Sequence, residues 1–309
     1  MSGENCKKKY FNWIDNSCYI DCLFVSLFNS KNILIDNFVN NLNIKQHYDK
    51  PITNEDLQDL QYYAIIIQTQ IQDIYKQLSV DHTDDKQHTC INFRHYLQLH
   101  SNIINKYYNN SQNFINDIYN PTDILLYLYE YVFIDNNNIT NISCTYYDYT
   151  ELNFDFDKKT LGNDVFSDIN FITISKFDSN LTQLLFKEKI IYFGNLHLHL
   201  HSIIVNTGSH YVCYYKCNNI WYYYNDTSVQ SGPGNAVSEI IIIGTIYNVN
   251  EHIKNIIDKL ENKEIFLLYL KEPSMTYTQH PVTNSENQSI IQLKKLLNDH
   301  FERLKELIK

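Results

Sequence analysis

The spacing of apolar residues changes character once along this 309-residue chain, and that change limits the folds open to it. Up to about residue 132 the apolar positions recur at helical intervals; from Thr145 onward Tyr, Phe and Thr alternate with polar residues as they do in strands. Helices first and antiparallel strands afterwards predict an α+β fold. A first helix is expected from Cys18, with Ser17 as N-cap, Asp21 in the capping-box neighbourhood, and an apolar stripe of Leu23, Phe24, Leu27 and Phe28. A longer one starts behind Thr53, carries Glu55 and Asp56 at its positive end, and places Leu57, Leu60, Ala64, Ile67, Ile71, Ile74 and Leu78 on one face. A polar stretch at 81–89 interrupts, a third helix is expected over 91–106, and Asn120-Pro121-Thr122-Asp123 opens a fourth reaching about Val132.

The second half predicts a helix near Asn180–Lys187 and strands at 189–193, 196–206, 210–216 and 220–225, with Asn218-Asn219 as a tight hairpin turn. Ile240–Ile243 and Glu264–Leu270 read as further buried strands with a helix at about 250–261 between them. Residues 273–288, bracketing Pro273 and Pro281, read as a linker. An amphipathic helix over 289–309 carries Ile290, Leu293, Leu297, Leu304 and Ile308.

A hydrophobic content of 44% in a chain of this length supports one large core with subdomains. The formal net charge of −10 argues against nucleic acid as a partner, because phosphates call for clustered Lys and Arg. No apolar run approaches the roughly 20 residues that span a bilayer, and the opening Met1–Lys9 lacks the apolar core of a secretory signal. Seven Cys without framework spacing suit reduced thiols in the cytoplasm or nucleus. The Asn/Ile/Tyr/Lys bias is that of an AT-rich genome; if the chain is viral, the host cytoplasm is the corresponding compartment.

Two distant stretches carry chemistry. Asn16-Ser17-Cys18-Tyr19-Ile20-Asp21-Cys22 puts a cysteine on the first turn of a helix, where the dipole and free N–H groups favour thiolate. Gly208-Ser209-His210-Tyr211 and Trp221-Tyr222-Tyr223-Tyr224-Asn225-Asp226 put a histidine and a carboxamide on neighbouring strands of one hairpin. A nucleophilic Cys needs an imidazole base, and the base needs an orienting group. Cys18, His210 and Asn225 supply all three in that chain order. The competing reading is a small core cysteine and structural His and Asn; Cys22 is read that way. His197, His199 and His201 alternate along a strand and could share one face, but no Cys or carboxylate partner is identifiable, so neither a metal nor a cofactor is expected.

These stretches resemble the cysteine and histidine boxes of the ubiquitin-specific proteases. The first is similar to Gly-Asn-Thr-Cys-Tyr-Met-Asn. The second resembles an apolar strand leading to Gly-His-Tyr and then Trp-x-x-Phe-Asn/Asp-Asp-x-x-Val, here Leu200 to Tyr211 and Trp221 to Val229. Glu264–Leu270 is similar to that domain's closing strand, and Asp123–Leu128 is a fainter echo of its Asp-Ala-x-Glu-Phe-Leu helix. The resemblance covers about 12–272, behind an N-terminal extension of residues 1–11. It implies a papain-like hand: a helical thumb (about 12–135), reduced fingers (about 140–190) and an antiparallel palm (about 190–272). It further implies Cys18 as nucleophile, His210 as base, Asn225 as orienter and Asp226 as a supporting acid. The activity implied is hydrolysis after the C-terminal glycine of ubiquitin, with ubiquitin and ubiquitinated proteins as partners.

The departures from the family pattern are specific. The family's oxyanion-hole Asn, five residues before the Cys, is Trp13 here, leaving Asn12, Trp13 or Asn16 to donate. Loss of such a donor costs on the order of 10²–10³ in rate. The glycine before the His is Ser209, the loop ahead of it is shortened to Asn206–Ser209, and the four-Cys zinc site of the fingers is absent. Cys-Tyr-Ile-Asp-Cys-Leu also resembles the branch that cleaves the modifier SUMO. Three alternatives follow: a SUMO isopeptidase, a ubiquitin-binding pseudoenzyme, and a protease for a dedicated polyprotein. The acidic-aromatic stretch Tyr146–Asp157 either meets a basic modifier tail or is a solvated edge.

Overall fold

The computed structural model describes residues 17–29, 44–79, 91–109, 121–133, 139–143, 171–175, 188–192, 196–208, 210–228, 237–257 and 264–271, together with Asn32, Ile35, Phe38, Val39, Phe114 and Phe186. The expected helix near 180–187, the linker at 273–288, the C-terminal helix and the stretch 146–157 lie wholly or almost wholly outside these residues. What is described is an α+β arrangement of helices followed by a mostly antiparallel sheet. No helix among the described residues is long and apolar enough to cross a membrane.

Helix α1 spans Cys18–Phe28, and all eleven of its residues are buried. Its sequence is apolar around most of its circumference, which only a helix covered on every side can accommodate. It packs on the sheet through one face and on the longer helices through the other. Ser17 does not cap it as expected. Its backbone is already helical, and its hydroxyl donates to Asp21 Oδ2 at 2.5 Å, so the buried carboxylate has taken the cap's hydrogen bond.

Helix α2 (Asn54–Ser79) begins behind Thr53, whose Oγ1 accepts the Asp56 N–H at 3.2 Å. Leu60, Ala64, Ile67, Ile71, Ile74 and Leu78 are buried, so the helical spacing marks the core face. Helix α3 (Ile91–Tyr108) runs antiparallel to it. Lys106 Nζ pairs with Asp56 Oδ1 at 2.8 Å and the Tyr107 hydroxyl donates to Asp56 Oδ2 at 2.6 Å, tying the end of one helix to the start of the other. Helix α4 (Pro121–Tyr127) has proline at its first position, where no N–H is needed, and widens into a π turn over Leu128–Val132.

Among the described residues the sheet has eight strands: β1 (Ile139–Ser143), β2 (Phe171–Ser175), β3 (Lys189–Tyr192), β4 (Leu196–Asn206), β5 (Tyr211–Cys217), β6 (Ile220–Ser228), β7 (Val237–Gly244) and β8 (Glu264–Lys271). The order is β1-β2-β8-β4-β5-β6-β7, with only the β1–β2 pair parallel. β4 organises it. One edge pairs with β8; the other is shared end to end, β3 taking Leu196–His199 and β5 taking Ser202–Asn206. The register on β8 slips between Leu200 and Ser202, so His201 is the extra residue of a bulge. That overturns the expectation of three imidazoles on one face: His201 is buried, with a ring nitrogen 3.4 Å from Asn32 Nδ2 beyond the end of α1. The side chain of His197 lies outside the description. Among the described residues no group of three or more His, Cys, Asp or Glu is placed to hold a metal.

Both faces of the sheet's centre are buried, which explains the near-continuous apolar runs of β4, β5 and β8. Tyr211, Cys213 and Tyr215 join the core around α1, while Tyr214 and Tyr223 turn to the opposite face and meet His252 of helix α5 (Ile246–Ile257). α5 starts four residues earlier than expected. Thr245 caps it, accepting the Asn248 N–H and donating to Asn248 Oδ1, a cap legible as Thr-x-x-Asn. β7 corrects a second expectation: Ile241 and Ile242 are 39% and 53% exposed, because β7 has a hydrogen-bonded neighbour on one side only among the described strands. A third concerns sulfur. Cys18, Cys22 and Cys213 are free thiols, but Cys217 is disulfide-bonded. Spacing could not reveal that pairing, which depends on neighbours in space.

The β5–β6 hairpin turns on Asn218 and Asn219, with φ of 51° and 62°. Two consecutive left-handed residues form the tight turn whose twist matches the flanking strands, and Asn tolerates that region. Asn219→Val should lower stability by about 1–2 kcal/mol, the cost of a side chain that resists positive φ. Asn219→Gly should stay within about 0.5 kcal/mol of the parent. Denaturant unfolding followed by circular dichroism checks both.

Candidate active site

The two motifs meet where the start of α1 faces the β4–β5 turn. Cys18 is the first residue of α1, a position whose N–H has no carbonyl partner within the helix. The following residue helps hold the junction: the Tyr19 ring packs on the Tyr211 ring at 6.4 Å, and the Tyr19 hydroxyl reaches the Phe114 carbonyl at 3.4 Å. The residues after the cysteine and after the histidine are thus in contact with each other.

His210 is fixed from its backbone outward. Its carbonyl accepts the Thr207 N–H at 2.7 Å and the Thr207 hydroxyl at 2.9 Å, closing a two-residue loop between β4 and β5. Gly208 sits in that loop at φ 100°, where a side chain would be strained. The bonds of Thr207 to the His210 carbonyl therefore deliver the imidazole immediately ahead of β5.

The ring's Nε2 faces three consecutive residues of β6. Asn225 Oδ1 is 2.8 Å away, Asp226 Oδ1 3.0 Å and Thr227 Oγ1 3.1 Å. A regular strand would send the middle residue to the opposite face. Here the pairing with β7 advances from Asn225↔Glu239 to Ser228↔Val237, three steps against two. The extra residue is a bulge, and bulges re-aim side chains.

The orientation of Asn225 follows from its neighbours. Its Oδ1 accepts the Thr227 N–H at 3.0 Å, and a backbone N–H can only donate, so the oxygen and not the amide nitrogen faces the imidazole. Nε2 must then carry a proton to donate to that oxygen. With Nε2 so engaged, Nδ1 is the nitrogen left for Cys18, whose side chain also acts on the ring. The arrangement sets the tautomer without reference to hydrogen positions.

Charge completes the site. Asp226 is fully buried, and neither carboxylate oxygen finds a directional hydrogen bond among the described residues, so its contact with His210 acts through charge. Burial works to lower the basicity of His210, but the Asp226 carboxylate, the Cys18 sulfur and the Asn225 carbonyl outweigh it and push the pKa up to about 10. Cys22 belongs to the core. Its burial, then its hydrogen bond to Cys213 and nearby negative charge, raise it well above the ordinary thiol range.

Of the residues singled out from sequence, Cys18, His210, Asn225 and Asp226 come together. Asn12, Trp13 and Asn16 lie outside the described residues. Thr227 was missed. The signal for it was local: Asn-x-Thr lets an Asn oxygen accept from the backbone and hydroxyl two residues on.

No protein-family model matches this chain, and no curated protein matches its sequence. The charge at the site has a consequence for stability. A histidine raised from 6.5 to about 10 contributes stability that is complete below pH 6.5 and is lost as pH rises through about 10. The melting temperature should fall across that window in the parent. Asp226→Asn removes the largest source of the raised value and should flatten the fall, as thermal melts from pH 6 to 10.5 would record.

Proposed function

We propose that the chain is a cysteine-dependent isopeptidase with the papain-like hand of the ubiquitin-specific proteases, cleaving after the C-terminal glycine of ubiquitin. The observation that carries the proposal is the imidazole of His210, held by Asn225 at 2.8 Å and near enough to the Cys18 side chain at the head of α1 to gain basicity from it. Supporting it are the chain order Cys, His, Asn and a helical layer packed on an antiparallel sheet.

The chemistry follows from those positions. Cys18 and His210 react as a thiolate–imidazolium pair, the thiol's proton resting on His210 Nδ1, and the helix N-terminus and the imidazolium stabilise the thiolate. The sulfur attacks the glycine carbonyl, and the developing oxyanion is met by the Cys18 N–H together with a donor from Asn12, Trp13 or Asn16. The C–N bond breaks as His210 Nδ1 returns the proton to the departing amine, leaving a thioester. His210 then deprotonates a water, which attacks the thioester and releases a carboxylate and the thiol. Nε2 keeps its proton on Asn225 throughout. Conjugates of this kind place the protein in the cytoplasm or nucleus.

One observation favours a second reading. Cys18 is only 1% exposed, whereas the His210 side chain is 19% exposed, so a modifier tail enters from the histidine side and the thiol must be uncovered to react. A chain that never uncovered it would bind a modifier without cleaving it.

Ubiquitin and SUMO probes bearing a C-terminal electrophile, used side by side, separate these readings. The expected result is covalent labelling by the ubiquitin probe that Cys18→Ala abolishes and Cys22→Ala leaves intact. Labelling by the SUMO probe alone would assign the other modifier. Binding of either modifier without labelling would establish the pseudoenzyme, and indifference to both would point to a processing protease.

A further inference from the structure

We infer that the Thr227 hydroxyl is a positioning residue for the catalytic base, holding Asn225 and His210 in a single productive arrangement. The inference rests on the proposed cysteine chemistry for its kinetic consequence and on geometry alone for its structural one.

Thr227 makes three contacts at the site. Its N–H donates to Asn225 Oδ1 at 3.0 Å, its Oγ1 lies 3.2 Å from the same oxygen, and Oγ1 lies 3.1 Å from His210 Nε2. A hydroxyl has one proton and two lone pairs. While Nε2 is protonated, the hydroxyl proton goes to Asn225 Oδ1, and a hydroxyl lone pair faces the Nε2 proton. The imidazole N–H is then shared between two oxygens, Asn225 Oδ1 and Thr227 Oγ1, and ring rotation in either direction is resisted. Asn225 alone would leave the ring one bond about which to swing. Asp226 supplies charge without a directional bond. Among the described residues, the hydroxyl is thus the one side-chain group that hydrogen-bonds both the orienter and the base. Asn225 and Thr227, two apart on β6, share a face, and the bulge is what brings Asp226 between them toward the same ring.

Position 227 is an unspecified one in the histidine-box pattern, so the resemblance gave no reason to single it out. Side-chain size cannot explain the contacts either: valine has the same shape and would keep the packing and the backbone N–H bond while removing the hydroxyl.

Two readouts test the inference on the full chain. The first is the labelling rate with whichever modifier probe reacts, measured against probe concentration and pH. Thr227→Val should label roughly 3- to 10-fold more slowly at saturation, the worth of one hydrogen bond, with the half-saturating concentration unchanged. Its alkaline limb should move to lower pH, and Thr227→Ser should restore both. The second is the downfield proton resonance of the His210 Nε2–H, which needs no substrate. It should broaden or vanish in Thr227→Val and persist in Thr227→Ser. A valine variant with parent rate and parent resonance would overturn the inference while leaving the isopeptidase reading untouched. If no probe labels the parent chain, that reading fails, and the resonance alone decides whether Thr227 positions His210. Equal damage in valine and serine variants would also overturn it, since the hydroxyl would then not be the operative group.

Discussion

A helix that is apolar on almost every side has to be enclosed, and the enclosure of α1 determines most of what surrounds it. Its eleven residues are covered by the sheet on one side and by the longer helices on the other. With its axis so confined, its first residue is held buried beside the end of the β4–β5 turn, so Cys18 and His210 meet as a consequence of core packing. The aromatic contact between Tyr19 and Tyr211 ties the two motifs together at the same point.

The second determinant is electrostatic. A fully buried carboxylate is costly unless a cation faces it. Asp226 has His210 as its counter-charge, and the histidine in turn gains basicity from the carboxylate. The bulge in β6 is what lets a residue that would point away join its neighbours. A local irregularity in strand pairing thus sets the charge state of a residue on the next strand.

Much of this was legible in the sequence where one physical signal dominated. Thr53 ahead of an apolar stripe marked α2, and Asn218-Asn219 between two aromatic strands marked the hairpin, because capping and positive φ are local demands. Cys18, His210, Asn225 and Asp226 were legible because their types and order carry chemistry. What was not legible depended on neighbours distant in the chain. Ile241 and Ile242 look like core residues until β7 is seen to have one partner, and His201 looks in register with His199 until the bulge on β8 appears. Ser17 has the composition of a cap, but the buried Asp21 took its hydroxyl. Thr227 lay between these cases: its Asn-x-Thr turn was local, but its reach to His210 depended on which strand lies beside β6.

The central claim is that His210 is a charged base held between a cysteine and a buried acid. The most direct measurement is an NMR titration of its ring nitrogens in the parent chain, assigned by comparison with a His210→Gln variant. The account predicts an imidazolium that persists through pH 8 and loses its proton near 10. A ring that titrates at the ordinary value near 6.5 would contradict it.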